Sequence, residues 1–334
     1  MFALATTAPA GLLAEEPLGP PSGATFLTDL TFSWLSLVLV AAAALYLTGV
    51  VTMRRRGNPW PVSRTLLFLI PGLGSIAVAT VTGVGTYDDT LLSVHMVQHM
   101  VLSMIAPIFL ALGAPVTLLL RTAPRRVRRV ALVVIHSRVV RVVTFPLVAF
   151  GLFVVTPFAL YFTGLYAETM RHEWLHELTH THFIIVGCLF FWPLIGIDPL
   201  PNRWPYPGRA LLMFLSTPFH TVLGLTVMQS KVLIGGDWYP SLHLGWVDAF
   251  ADQKVAGGIL WAGGEVVSVT MLAVLVVQWM RQSEREAKRV DRQLDREEAE
   301  AAALAAYNAS LAASAGDGDG TIPAEGNSRG AASR

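Results

Sequence analysis

The sequence predicts an all-α, polytopic membrane protein with seven transmembrane helices, its N-terminus outside and its C-terminus cytoplasmic. Composition is the first observation. Of the 334 residues, 53% are hydrophobic and 14% charged, against about 25% charged in a soluble domain. The second is length: seven apolar stretches approach or exceed the roughly 20 residues that cross a bilayer. The third is charge placement. With the N-terminus outside, 21 of the 24 Lys and Arg residues fall on the cytoplasmic side, as the positive-inside rule requires.

Residues 1–31 hold no Lys or Arg. They lack the positive n-region of a signal peptide and read as a short extracytoplasmic segment. The spans fall at 32–53, 64–86, 91–112, 142–163, 173–195, 208–229 and 255–280, forming one transmembrane domain over 32–280. Arg54, Arg55, Arg56 and Arg64 lie on the cytoplasmic side between the first two spans. The connection 113–141 adds seven arginines around the stretch VALVVIHSRVV. That stretch is too short to span, so it predicts an amphipathic helix lying on anionic lipid. Only Arg171, Lys231 and Lys254 remain outside. Residues 281–312 predict a charged, then Ala-rich cytoplasmic helix continuing the seventh span, with pairs such as Glu284 and Lys288 supporting it. Residues 313–334 predict a disordered tail. The single cysteine, Cys188, permits no intrachain disulfide and reads as an apolar filler.

This layout places the histidines. Span three opens LLSVHMVQHM, so His95 and His99 share one helix face at i, i+4. Span five opens HEWLHELTH, residues 172–180, and aligns His172, His176 and His180 as a stripe. Both spans run inward from the outer surface, so His176 and His180 reach about the same depth as His95 and His99. Paired stripes of this kind suggest a metal or haem site. His182 points some 160° away from its stripe on an ideal helix. His220 and Glu265 lie near the middles of spans six and seven. Ionisable groups at such depth are costly and often functional. Glu265 is a candidate ligand or proton relay, with a plain helix-to-helix bond as the alternative.

HEWLHELTH contains H-E-x-x-H twice, overlapping. On a zinc hydrolase this motif supplies two ligands and a general base, but a third ligand is also needed. No loop of the N-P-D-G type is present to provide one. A different metal suits the interleaved methionines. Met96 and Met100 form a stripe about 100° from His95 and His99, and imidazole with thioether suits copper.

The run HMVQHMVLSMIAPIFLALGAPVTLLLR, residues 95–121, resembles the hallmark of the bacterial CtaG family of cytochrome c oxidase assembly factors. The seven-span layout and the THTHF of residues 179–183 are similar too. The resemblance implies a multi-pass protein of the bacterial plasma membrane that supplies copper to a haem–copper oxidase. It brings the motif positions His95, Met96, Gln98, His99 and Met100 into the site. The expected function is thus an assembly factor rather than an enzyme, with the lipid bilayer and an oxidase subunit as partners and no nucleic acid. The expected ligands are His95, Met96, His99, Met100, His172, His176, His180 and Glu265, and the expected metal is copper. A membrane-embedded zinc hydrolase and a haem protein with axial histidines from spans three and five are the rival readings.

Overall fold

The structure is a computed structural model describing residues 19–28, 30–202 and 204–316. Most of the segment 1–31 and of the tail 313–334 lies outside the described residues. Among these residues every regular element is helical. The principal helices are α1 (Trp34–Arg55), α2 (Val62–Val81), α3 (Leu92–Leu112), α4 (Pro115–Thr122), α5 (Arg125–Ile135), α6 (Arg138–Val143), α7 (Pro146–Phe162), α8 (Leu165–Arg171), α9 (Glu173–Ile195), α10 (Tyr206–Gln229) and α11 (Ala249–Gly316). By internal contacts the chain divides into two units, residues 1–276 and 277–334.

Six helices (α1, α2, α3, α9, α10 and α11) are long and apolar enough to cross a membrane, and a seventh span exists if α7 and α8 count as one. This is a multi-pass membrane protein. The departure from seven straight spans lies in the fourth. α7 has 17 residues and meets α8 at a bend of 72°. The chain turns at Thr163, whose backbone is extended, and the Thr163 hydroxyl accepts from the N–H of Leu165 to start α8. α8 carries Glu168 and Arg171, paired at 2.9 Å, so its polarity suits a segment leaving the apolar layer.

Two spans contain wide π turns. In α2 the turn covers Phe68–Gly74 and surrounds Pro71. Proline has no N–H to donate and crowds the preceding turn, and a widened turn accommodates it. In α3 the wide turn covers Val101–Ile105, just beyond His99 and Met100.

α3 is the central helix, with 67% of its apolar window buried against 17% for α1. α9 packs most extensively on the second half of α3. The two backbones meet at Gly187, where an added Cβ would lie 2.2 Å from the carbonyl oxygen of Ser103. A matching close crossing joins α10 to α11, where Cβ atoms on Gly224 and Gly257 would strike the facing backbone at 2.5–2.6 Å. Lipid tails are as apolar as the side chains, so membrane helices gain affinity from such close fit rather than from the hydrophobic effect.

The connection 113–145 forms the three short helices α4, α5 and α6. None of the side chains of α5 is buried, and it presents Arg125, Arg126, Arg128 and Arg129 with exposed Val127, Val130, Leu132, Val133 and Val134. That is the composition of an interfacial helix.

Candidate metal centre

The start of α3, the start of α9 and the turn before α3 converge at one end of the bundle. His95 and His176 each occupy the fourth position of their helices, so the parallel register of α3 and α9 sets them level. Their rings stack with centroids 5.8 Å apart and an interplanar angle of 18°. One turn deeper in α9, the His180 ring lies 4.4 Å from that of His176.

The third component is Asp88, in the turn 88–91 that leads into α3. Its Oδ2 lies 3.7 Å from His176 Nε2 and 3.4 Å from His180 Nε2. One ligand atom from each of Asp88, His176 and His180 lies within 4.8 Å of the other two. Donors arranged tetrahedrally at about 2.1 Å from an ion stand about 3.4 Å apart, so these spacings fit a shared cation. Gln98 holds the carboxylate. Its amide Nε2 donates to Asp88 Oδ2 at 2.6 Å and to the carbonyl of Ala79 at 3.0 Å. Both amide protons are thereby used, which fixes the orientation of the Gln98 amide.

Asp88 is 3% exposed. Burial pushes its carboxyl up to about 6, against the opposing effects of His176 and of the Gln98 amide. Neighbouring elements brace the turn. Trp238 Nε1 donates to the carbonyl of Asp89 at 2.7 Å, and Asp252 of α11 accepts from the N–H of Ser93 at 3.1 Å, capping α3.

The most telling feature is what the imidazoles lack. Both ring nitrogens of His95, both of His180 and the Nε2 atoms of His176 and His99 are buried without a hydrogen-bond partner, as is Oε2 of Glu177. The approaches of His176 and His180 to Asp88 are too long or too poorly directed to count as hydrogen bonds. A buried polar atom without a partner costs about 1–3 kcal/mol, and five imidazole nitrogens of His95, His176 and His180 share that condition, with a sixth on His99 one turn below.

The other expected ligands lie elsewhere. His99 is one turn below His95, with its ring against Phe183 at 4.3 Å and its Nδ1 3.3 Å from the hydroxyl of Tyr161. His172 stands at the bend between α8 and α9, its side chain 52% exposed and its Nδ1 3.2 Å from the Glu168 carbonyl. Met96 is wholly buried in the apolar core. Met100 faces α11, with its terminal methyl 3.6 Å from where a Gly263 Cβ would sit. Glu265 accepts a hydrogen bond from Thr221 at 3.2 Å, which is the helix-to-helix bond considered as its alternative. His182 contacts Thr156 at 3.2 Å, away from the cluster.

Sequence reasoning missed Asp88 and the tyrosines that wall the site. Tyr166 of α8 lies edge-on to His95 at 5.0 Å, and its hydroxyl contacts that of Tyr239 at 2.6 Å. The signal available for Asp88 was the pair Asp88–Asp89 at the mouth of a histidine-bearing span. An acid there is exceptional among residues 88–112, which otherwise hold no carboxylate beyond these two.

Residues 44–282 match the Caa3_CtaG family, described as cytochrome c oxidase caa3 assembly factor. The chain belongs to this family. The match takes in every residue of the cluster. The Caa3_CtaG chain is also 40% identical over 308 residues to an uncharacterized protein of Mycobacterium bovis and to one of Mycobacterium tuberculosis. It is 38% identical over 310 residues to an uncharacterized protein of Mycobacterium leprae. These alignments take in 90% of this chain and 46% of each relative, so the chain spans about half the length of the curated relatives it matches. No solved structure matches it.

Proposed function

We propose that this Caa3_CtaG protein binds copper near the outer face of the bacterial plasma membrane and delivers it to a subunit of a haem–copper cytochrome c oxidase during assembly. One observation carries the reading: the buried, partnerless imidazole nitrogens of His176 and His180 that face Asp88, with those of His95 stacked beside His176. Each neutral imidazole keeps one lone pair without a partner, and a cation between Asp88, His176 and His180 would satisfy those that face it. Family membership supplies the process, oxidase assembly, and copper is the metal that such an oxidase must receive. The arginine asymmetry supports an outward-facing cluster. The intrinsic role is binding and transfer, not catalysis, and the His99 site one turn deeper is a candidate for the next position on the metal's route.

A second reading has one observation in its favour. His176, Glu177 and His180 form one of the two H-E-x-x-H motifs, and Asp88 stands where a hydrolase needs its third ligand. Glu177 Oε2, buried and without a partner, occupies the sequence position of the general base. The haem reading draws less support, because α3 and α9 meet backbone to backbone at Ser103 and Gly187 and leave little room for a porphyrin between them.

Metal analysis and visible absorption of the purified full chain separate the three. Copper at about one per chain, with oxidase activity lost when His180 is replaced, supports the proposal. Zinc with a peptide-hydrolysing activity that disappears in Glu177→Gln supports the second reading, and a Soret band supports haem. Cysteine labelling at positions 25 and 320 tests the orientation: external labelling at 320 overturns it.

A further inference from the structure

Given the copper reading, we infer that Asp88 is a metal ligand and that the site takes copper as Cu(II), with Gln98 as the residue that positions the carboxylate. The inference rests on the copper reading and goes on to specify the oxidation state of the cargo. It begins with which donors the fold brings together and which it turns away. Asp88 Oδ2 lies 3.4 Å from His180 Nε2 and 3.7 Å from His176 Nε2. His95, stacked on His176, has both ring nitrogens without a partner, and one of them carries the lone pair a metal could use. The donor set is therefore imidazole and carboxylate.

The thioethers lie outside that set. Met96 and Met100 are adjacent in sequence to His95 and His99, which turns them about 100° round α3, and Met100 faces α11. Soft thioether and thiolate donors select Cu(I), whereas imidazole and carboxylate suit a divalent ion. A carboxylate also offsets one unit of positive charge. That matters more for a doubly charged ion held in a buried site than for Cu(I).

Gln98 is the second part of the inference. The sequence places a glutamine between the two histidines of HMVQHM, and it points at neither. It spends one amide proton on the Ala79 carbonyl and the other on Asp88 Oδ2, the oxygen that faces His176 and His180. A donor 2.6 Å from that oxygen leaves it with lone-pair capacity for an ion, since a carboxylate oxygen accepts more than one partner. Partners of this kind behind a ligand typically change metal affinity by about 10–100-fold when removed.

The test uses the purified full chain and titrates it with Cu(II) alone in air, and with Cu(I) under a reductant against a chromophoric Cu(I) chelator. Asp88→Asn is expected to weaken Cu(II) at least tenfold and Cu(I) less than threefold. Asp88→Glu, which keeps a carboxylate, is expected to retain Cu(II) within tenfold and so separates a ligand effect from misfolding. His180→Ala is expected to weaken both ions. Gln98→Ala is expected to shift the electron paramagnetic resonance parameters of bound Cu(II) while keeping its nitrogen hyperfine pattern. A role confined to packing would leave that spectrum unchanged. Tight Cu(I) binding that is insensitive to Asp88→Asn but lost in Met96→Ala or Met100→Ala overturns the inference and leaves the copper reading standing. Equal Cu(II) affinity in wild type and Asp88→Asn overturns it too. Failure to bind either ion overturns both.

Discussion

Two buried aspartates at opposite ends of the membrane domain make a controlled comparison. Asp198, between α9 and α10, is 4% exposed, and Asp88 is 3% exposed. Asp198 accepts from the N–H groups of Val116 (3.3 Å) and Thr117 (2.7 Å), from the Thr117 hydroxyl (2.5 Å) and from Trp192 Nε1 (2.9 Å). It caps α4, whose first turn would otherwise leave N–H groups without partners. Asp88 receives a short side-chain hydrogen bond from Gln98 and backbone hydrogen bonds within its own turn, and its Oδ2 also faces the Nε2 atoms of His176 and His180, which have no hydrogen-bond partner. Burial is equal at the two ends, but satisfaction is not. A buried carboxylate whose valences are filled by the chain holds helices together, whereas unfilled imidazole nitrogens around one call for an explanation, and the bound copper proposed above supplies it.

The sharpest way to break this comparison is to remove each group with little change of volume. Asp198→Leu strands three backbone or hydroxyl donors and one indole donor, each costing about 1–3 kcal/mol when buried without a partner. The expected loss is about 3 kcal/mol or more, read as a lower unfolding temperature in detergent and less protein in the membrane. Copper bound per folded chain should not change. A normally stable Asp198→Leu protein would show that the cap is dispensable and that satisfaction does not separate the two ends.

The reverse is expected at the other end. His180→Phe replaces a ring with two partnerless nitrogens by an apolar ring of similar size. The metal-free variant should be as stable as wild type or more so, because it no longer buries unpaired polar atoms. Its copper affinity should fall by at least about 100-fold, the upper part of the range that even indirect partners of a ligand produce. His99→Phe should cost less copper than His180→Phe, since His99 lies a turn below the trio and already has Tyr161 at 3.3 Å. Equal losses would place His99 in the same coordination shell. Unfolding curves of metal-free protein and copper titrations decide both.

How far this contrast could be read from sequence depends on which residues are asked about. The long spans were legible because a bilayer selects apolar windows of fixed length. The fourth was not legible in detail: a hydropathy window averages across the bend at Thr163–Gly164, where one threonine hydroxyl redirects the chain. His95, His176 and His180 were legible as candidates because i, i+4 spacing puts side chains on one face whatever the tertiary structure. Asp88 was not, since its place beside α9 depends on a pairing across some 90 residues that no local pattern encodes. Gln98 was visible in HMVQHM, but its amide acquires meaning only once Asp88 and Ala79 are found on either side of it. The methionines show a related limit of local pattern: sequence shows that they adjoin the histidines, and the structure adds that Met100 is turned to Gly263.

The smallest expected effects lie along the stripe itself. From His172 to His176 to His180, side-chain exposure falls from 52% to 14% to 5%. Equal spacing in sequence thus becomes a gradient in environment, and only its inner members belong to the cluster. His172 already faces Glu168 and water, so His172→Ala should change copper affinity by less than about threefold, within the effect of one surface charge contact. Glu173 is exposed, and Glu173→Gln should be as quiet. Glu177 is the informative neighbour, because its Oε2 is buried without a partner next to His180. If the cluster only binds and transfers copper, Glu177→Gln keeps oxidase assembly within severalfold of wild type, since an amide of the same shape fills the same space. A general base contributes about 10²–10⁴-fold to a reaction. A collapse of assembly on that scale in Glu177→Gln, at normal protein level and normal copper content, would therefore transfer the site from metal delivery to hydrolysis. The measurement is oxidase activity in membranes carrying each of the three variants. Wild-type-like assembly in all three would confine function to the buried end of the stripe.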